Sequence, residues 1–335
     1  MQYTSHPEKI KTENAFALIH FGSNIKYFEL ELYFCIMLSK YTTQNIIYLY
    51  SVRDTPNAFV REIAPFVYET IGFDDKGVTV DVNFVSKYTS FNTLRTCDFI
   101  FAYKLTQYKK VCIVESDLVI MKPIDDIFEL NAPAILSYQR NQDRNNKFTN
   151  TINHNAKHTR DTTDIEILKM CGSASGLNGG VMLIEPSEKM FDNYFKEIHR
   201  VAEHTCKYPN EALFELVNKT YYNLPVKYNL SHYHTLRLKE MGIHTADVAI
   251  YHFNETAYKH LDIVKEKWLE KPENDNNPKY RVKKIPIYHF RDTVFIPYEP
   301  YINSILQSAE VDKEPVVKEI QPVVKEIQPV VKEIQ

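Results

Sequence analysis

Short apolar runs alternate with helix-like stretches from the start of the chain, and this alternation restricts the fold more than any other feature. Strand-like runs are Asn14–Phe21, Asn45–Val52, Val78–Val85, Val111–Glu115, Ala134–Tyr138, Gly180–Glu185 and Ala246–Phe253. Helical patterns fall between them at Tyr27–Lys40, Asn57–Ile71, Asn92–Thr106, Ser187–His204 and Pro209–Asn218. Most of the strand-like runs are almost continuously apolar, as expected of strands covered on both faces. Asn92 and Ser187 stand where N-caps belong. The order β-α-β-α-β-α-β through residue 115 predicts an α/β fold with a doubly wound, mainly parallel sheet.

Composition narrows the function classes. The 335 residues carry a formal net charge of −3, and the basic residues are spread along the chain, which speaks against nucleic acid as a partner. The 5 cysteines never fall at CxxC spacing, so neither a zinc ribbon nor a disulfide scaffold is expected. Only 8 glycines are present, with no GxGxxG and no GxxxxGK[ST], which excludes glycine-rich phosphate loops. For the same reason Phe21-Gly22-Ser23-Asn24 is a poor match to the glycine- and basic-rich loop of a sugar nucleotidyltransferase. The polar, mixed-charge N-terminus is unlike a signal peptide. The densest apolar run, Leu32–Leu38, is far shorter than the ~20 residues of a membrane span, so a cytoplasmic protein is expected.

Two segments depart from this pattern. Beyond residue 139 the chain turns strongly polar up to Asp164, a stretch expected to be a long loop able to close over a site or meet a substrate. At the C-terminus PVVKEIQ occurs three times in succession, at 315–321, 322–328 and 329–335. A proline at every seventh position prevents a continuous helix, so this region reads as an extended tail, either inert or a docking arm. The expected organisation is a polar segment at 1–13, one catalytic domain at 14–305 and a tail at 306–335.

The chemistry centres on VCIVESDLVI, residues 111–120, where an apolar strand ends in Glu115-Ser116-Asp117. Ligands of open parallel sheets bind beyond the carboxyl ends of strands. In extended geometry two acids spaced by one residue point the same way. Two carboxylates beside apolar walls repel unless a cation lies between them. The alternative is a strand-end turn with solvated acids.

The surroundings carry a resemblance. Leu105-Thr106-Gln107-Tyr108 precedes the acidic strand and Ile124-Asp125-Asp126-Ile127-Phe128 follows it. Farther along stand Leu177-Asn178-Gly179-Gly180-Val181, Asn210-Glu211-Ala212-Leu213, Tyr228-Asn229-Leu230-Ser231 and Ile250-Tyr251-His252-Phe253. In this order they resemble the family 8 glycosyltransferases, the glycogenin-like group, over roughly residues 14–262. The resemblance implies a GT-A-like sheet of the nucleotide-diphospho-sugar transferase type. It also implies a retaining hexosyltransferase that uses a UDP-linked donor and manganese or another divalent cation.

Carried over residue by residue, the metal ligands are Glu115, Asp117 and His252. A second Tyr-His-Phe holds His289, but the position after Tyr-Asn-Leu-Ser favours His252. Tyr27 would stack on the nucleobase, Ser116 would lie near the ribose, and Arg95 and Lys259 would face the phosphates. Asn178 and Gly179 would line the donor sugar. Asn210 and Glu211 would stand near the anomeric carbon as the catalytic pair. Asp125 and Asp126 are expected to cap the short helix after them rather than bind metal.

This sequence differs from the family pattern at two points: Glu115 replaces the usual Asp, and the amide and acid at 210–211 are in reversed order. They leave open a second function, a catalytically inactive binder or scaffold of the same fold. The acceptor is a glycan, a protein or a small molecule, and self-association into a homo-oligomer is compatible with the sequence.

Overall fold

The computed structural model describes residues 11–74, 95–137, 155–160, 162–170, 176–204, 208–231, 244–253 and 289–311. Strand β1 (Asn14–His20) and β2 (Asn45–Ser51) are joined by helix α1 (Ile25–Tyr41). Helix α2 (Asn57–Ile63) leads to β3 (Glu69–Phe73). A 3-10 helix at Arg95–Lys104 precedes β4 (Lys110–Val114) and β5 (Leu118–Ile120). Then come β6 (Ala134–Ser137), β7 (Lys157–Thr159), α3 (Asp164–Met170), β8 (Leu177–Ile184), α4 (Glu188–Ala202) and α5 (Pro209–Val217). Strands β9 (Thr220–Asn223), β10 (Leu230–Ser231) and β11 (Ile250–His252) and helix α6 (Ile296–Val311) complete the order.

Eight strands form one sheet in the order β3-β2-β1-β4-β8-β6-β9-β7, and three form a second, β10-β11-β5. The β3-β2-β1-β4 half is parallel throughout, as the alternation predicts, and β8 then enters antiparallel to both β4 and β6. Alternate side chains of one strand feed different cores. Phe16, Leu18, Cys112 and Val114 pack with α1 and the small sheet. Ala15, Ala17, Val111 and Ile113 pack with the Arg95–Lys104 helix, α4 and α5. Burial on both faces is the reason these strands read as unbroken apolar runs. Helix α1 is buried over the whole of Phe28–Leu38, because Tyr33 on its outer side meets Phe290 and Phe295 ahead of α6.

Several expectations need correction. The helix expected over Asn57–Ile71 stops at Ile63, passes through a 3-10 turn at Ala64–Phe66, and gives way to β3. Pro65 has no N–H to continue the helix, and Thr70, Ile71 and Gly72 then lie parallel to β2. The helix expected at Asn92–Thr106 is a 3-10 helix, and Asn92, like the strand expected at Val78–Val85, lies outside the described residues. Ser187 holds the N-cap position of α4 but makes no side-chain capping bond. The polar stretch after residue 139 is not all loop: Lys157–Thr159 pairs with β9 at the sheet edge, where a strand needs no apolar face. The catalytic domain was expected to end at 305, yet α6 runs on to Val311, burying Ile302 and Ile305. Residues 254–288 and the PVVKEIQ copies lie outside the described residues.

Candidate active site

The acids sit at the seam between the two sheets. Strand β4 ends at Val114, and the Glu115 N–H makes one more ladder bond, 3.0 Å to the Gly180 carbonyl. The chain then turns through Ser116 and Asp117 and enters β5 in the small sheet. The triplet is therefore a turn and not the extended end of a strand. Strand β11 runs antiparallel to β5 with His252 opposite Leu118, and the Phe253 N–H donates to the Asp117 carbonyl at 3.2 Å. This ladder brings an imidazole from late in the chain to the acids. His252 Nε2 lies 3.2 Å from Asp117 Oδ1 and 3.6 Å from Glu115 Oε2. One ligand atom from each residue falls within 4.8 Å of the others.

Charge is concentrated here. Burial pulls the His252 ring down, but Asp117, Glu115 and Glu211 together hold it above the usual imidazole range. Glu115 is pushed up, first by lost hydration and then by the Asp117 charge, although its side chain remains 45 % exposed. Like charges at this separation stabilise one another only through a shared cation or proton.

His252 is oriented from behind. Its Nδ1 lies 2.9 Å from Asn229 Oδ1 and 3.1 Å from Asn178 Oδ1, so Nδ1 is the donor and Nε2 is turned toward the acids. Asn229 also donates through Nδ2 to Asn178 Oδ1 at 2.8 Å, and the Gly180 N–H donates to the same oxygen at 3.1 Å. Asn178 therefore turns toward His252 as a holding group rather than toward the cleft. Asn229 and Gly180 belong to segments noted in the sequence, but nothing there assigned them a role.

Gly179 and the first turn of α5 form the next part of the wall. The Gly179 N–H donates to Glu211 Oε1 at 3.3 Å, and a Cβ at Gly179 would stand 2.6 Å from Asn210 Nδ2. Glycine is thus what lets Asn210 reach the cleft. Burial, with a smaller contribution from Glu115, pushes Glu211 up to about 8 against the opposing Gly179 hydrogen bond.

These groups border a cleft of about 870 Å³ lined by Tyr27, Arg95, Glu115, Ser116, Asp117, Gly179 and Asn210, among others. Arg95 reaches it already engaged, bonded to Asp54 and, at 3.2 Å, to Asp98, with its guanidinium over the Phe21 ring at 4.7 Å. It is a wall residue rather than a free cation. Lys259 lies outside the described residues. His289 sits elsewhere, 2.8 Å from the Tyr41 hydroxyl and 3.1 Å from the Ile120 carbonyl. Asp125 and Asp126 are cross-links rather than caps: Asp125 accepts from Thr42 and, at 2.8 Å, from the Thr43 N–H, and Asp126 pairs with Lys227 at 2.9 Å.

No protein-family model matches the chain. It is 24% identical over 267 residues to Uncharacterized protein R707 of Acanthamoeba polyphaga mimivirus, covering 78% of this chain and 87% of that one. Among solved structures, the WbbM bifunctional glycosyltransferase superposes with a TM-score of 0.50 at 14% identity, over 84% of this chain; the chain spans 52%, about half, of the WbbM length. The galactosyltransferase LgtC superposes with a TM-score of 0.47 at 10% identity, over 84% of this chain and 96% of LgtC. No helix among the described residues is long and apolar enough to cross a membrane. With a central sheet parallel through its first four strands and flanked by helices, the chain has the fold of the GT-A glycosyltransferases.

Proposed function

We propose that this chain is a retaining, metal-dependent hexosyltransferase that moves a sugar from a UDP-linked donor to an acceptor. The observation that carries the proposal is the convergence of Glu115 and Asp117, in the cleft-lining turn between the two sheets, with the buried His252 of the small sheet. Two carboxylates and an Nε2 kept aimed at them form a donor set that suits manganese. A cation held by these three would supply positive charge against a diphosphate leaving group.

The chain's own groups account for the rest of the reaction. Tyr27, 38 % exposed on the cleft wall, offers a ring face to a nucleobase. Ser116, between the acids, is the ribose contact, and Lys259 is carried over as a phosphate contact. Gly179 lines the cleft and leaves room for the Asn210 amide, which is the contact to a sugar hydroxyl in this reading. Glu211, whose carboxyl burial pushes up and which accepts from the Gly179 N–H, is the acid of the pair. Retention of configuration follows from the family resemblance.

The test is a panel of nucleotide-sugars with manganese, scored for released nucleoside diphosphate and for the anomeric configuration of the product. Manganese-dependent release from a UDP-sugar is expected. Absence of release from every donor, with UDP still bound, would favour the inactive binder that Glu115 and the reversed Asn210-Glu211 leave open.

A further inference from the structure

His20 is no part of the ligand set or of the transfer reaction above. It ends β1 and is 2 % exposed, yet both of its ring nitrogens face acceptors. Nδ1 lies 2.8 Å from Glu31 Oε2 on α1, and Nε2 lies 2.9 Å from the Gly22 carbonyl oxygen. A carbonyl has no hydrogen to give, and Glu31 Oε2 already accepts from the Tyr48 hydroxyl at 2.6 Å. With its Nε2–H given to the Gly22 carbonyl, a neutral imidazole has no second N–H for the Glu31 carboxylate, and the imidazolium supplies one to each. The charged groups facing the ring are Glu31 from α1 and Asp54 from the segment after β2; they outweigh burial and hold the ring above the ordinary imidazole range. Tyr48 from β2 stacks on it, and Phe59 from α2 meets it edge-on.

The second half of the device is Gly22. Its φ is +87°, in the left-handed region that favours glycine. Its N–H donates to Asp54 Oδ1 at 3.0 Å, while its carbonyl accepts from His20. Both backbone groups of the turn are therefore held by side chains, the buried His20 and the exposed Asp54. Phe21, Gly22, Ser23 and Asn24 line the cleft on the same wall as Tyr27 and Arg95.

We propose that the His20–Glu31 pair is a positioning device that holds the Gly22 turn in shape for the nucleoside end of the donor, and that it works only while His20 carries its proton. The claim rests on the nucleotide-sugar reading above. The sign is fixed by linkage: a histidine held above its ordinary range by a partner contributes fully at lower pH, and the contribution is lost as pH rises through its folded value.

The experiment follows amide exchange of residues 21–24 in the full chain, corrected for intrinsic exchange, and in parallel titrates UDP with manganese. Wild type, H20Q, H20A and E31Q are compared at about pH 6 and about pH 9, on either side of the ordinary imidazole range. A hydrogen bond from a charged donor is worth enough that wild-type protection should fall roughly tenfold or more between the two. H20Q keeps an N–H for the Gly22 oxygen but no charge, so its protection should be intermediate and flat with pH. H20A should be unprotected at both, and E31Q, a one-atom change, guards against a variant that fails to fold. UDP affinity should follow the same ranking. Equal protection in all four proteins would overturn the proposal whatever binds. Ranked protection with unchanged UDP affinity would overturn it too, leaving the pair a purely structural brace. Ranked protection in a wild-type chain that binds no UDP would support the held turn and sink the nucleotide reading instead.

Discussion

The imidazole of His252 lies directly over the α-carbon of Gly180, where a Cβ would stand 2.3 Å from ring atom Cε1 and 2.5 Å from Nδ1. Neither atom can retreat easily, because Nδ1 is bonded to two asparagine oxygens behind it. Gly180→Ala should therefore displace the ring. Loss of a group that orients a metal-binding histidine costs about 10–100-fold in affinity. Manganese titration should show a loss of that order, with Asn229→Ala, which removes one of the two oxygens, falling in the same range.

Asp117→Ala should abolish manganese-dependent donor turnover and leave the far-ultraviolet circular dichroism unchanged. Unaltered turnover would remove Asp117 from the ligand set.

His252→Ala should raise the manganese requirement far more than His289→Ala does. His289 holds Tyr41 and the Ile120 carbonyl away from the cleft, so its loss should appear in thermal melts rather than in metal titration. The opposite ranking would exchange their roles.

Glu211 yields a pH prediction with a definite sign. Its carboxyl rises from an ordinary 4.5 to about 8 in the folded chain. Between those values the folded state keeps a proton that the unfolded state has lost, so stability falls as pH rises across that window. Glu211→Gln, always neutral, should flatten the dependence. Melting temperatures of both proteins across the window would decide it, and parallel profiles would rule Glu211 out as the source.

Removing residues 314–335 should leave the melting temperature within about a degree, since the repeat sequence carries too little apolar content to build a core. A large drop would mean that the repeats pack on the body.

Much of this was legible in the sequence because burial on both faces writes itself into a strand as an unbroken apolar run. Strands β1, β2 and β4 and helix α1 lie within a residue or two of where the pattern predicts them. Strand β3 was hidden because the apolar residues of Asn57–Ile71 continue a helical spacing past Pro65. Helix α6 was hidden because Pro297 and Pro300 read as breakers. The acids stood out by their spacing at a strand end, but His252 was found through collinear resemblance, since a ladder between residues far apart in the chain leaves no local period. His20 and Glu31 left no signal for the same reason: a strand residue and a helix residue meet only after the fold has formed.

The three-residue pairing of Leu118–Ile120 with Ile250–His252 contains no group that would meet a substrate except at its end. Side chains alternate sides along a strand, so a slip of one position there would swing the imidazole to the far side of the small sheet. The proposed transfer reaction thus depends on the alignment of a few hydrophobic amino acids, and mutations with no chemical character of their own would silence it.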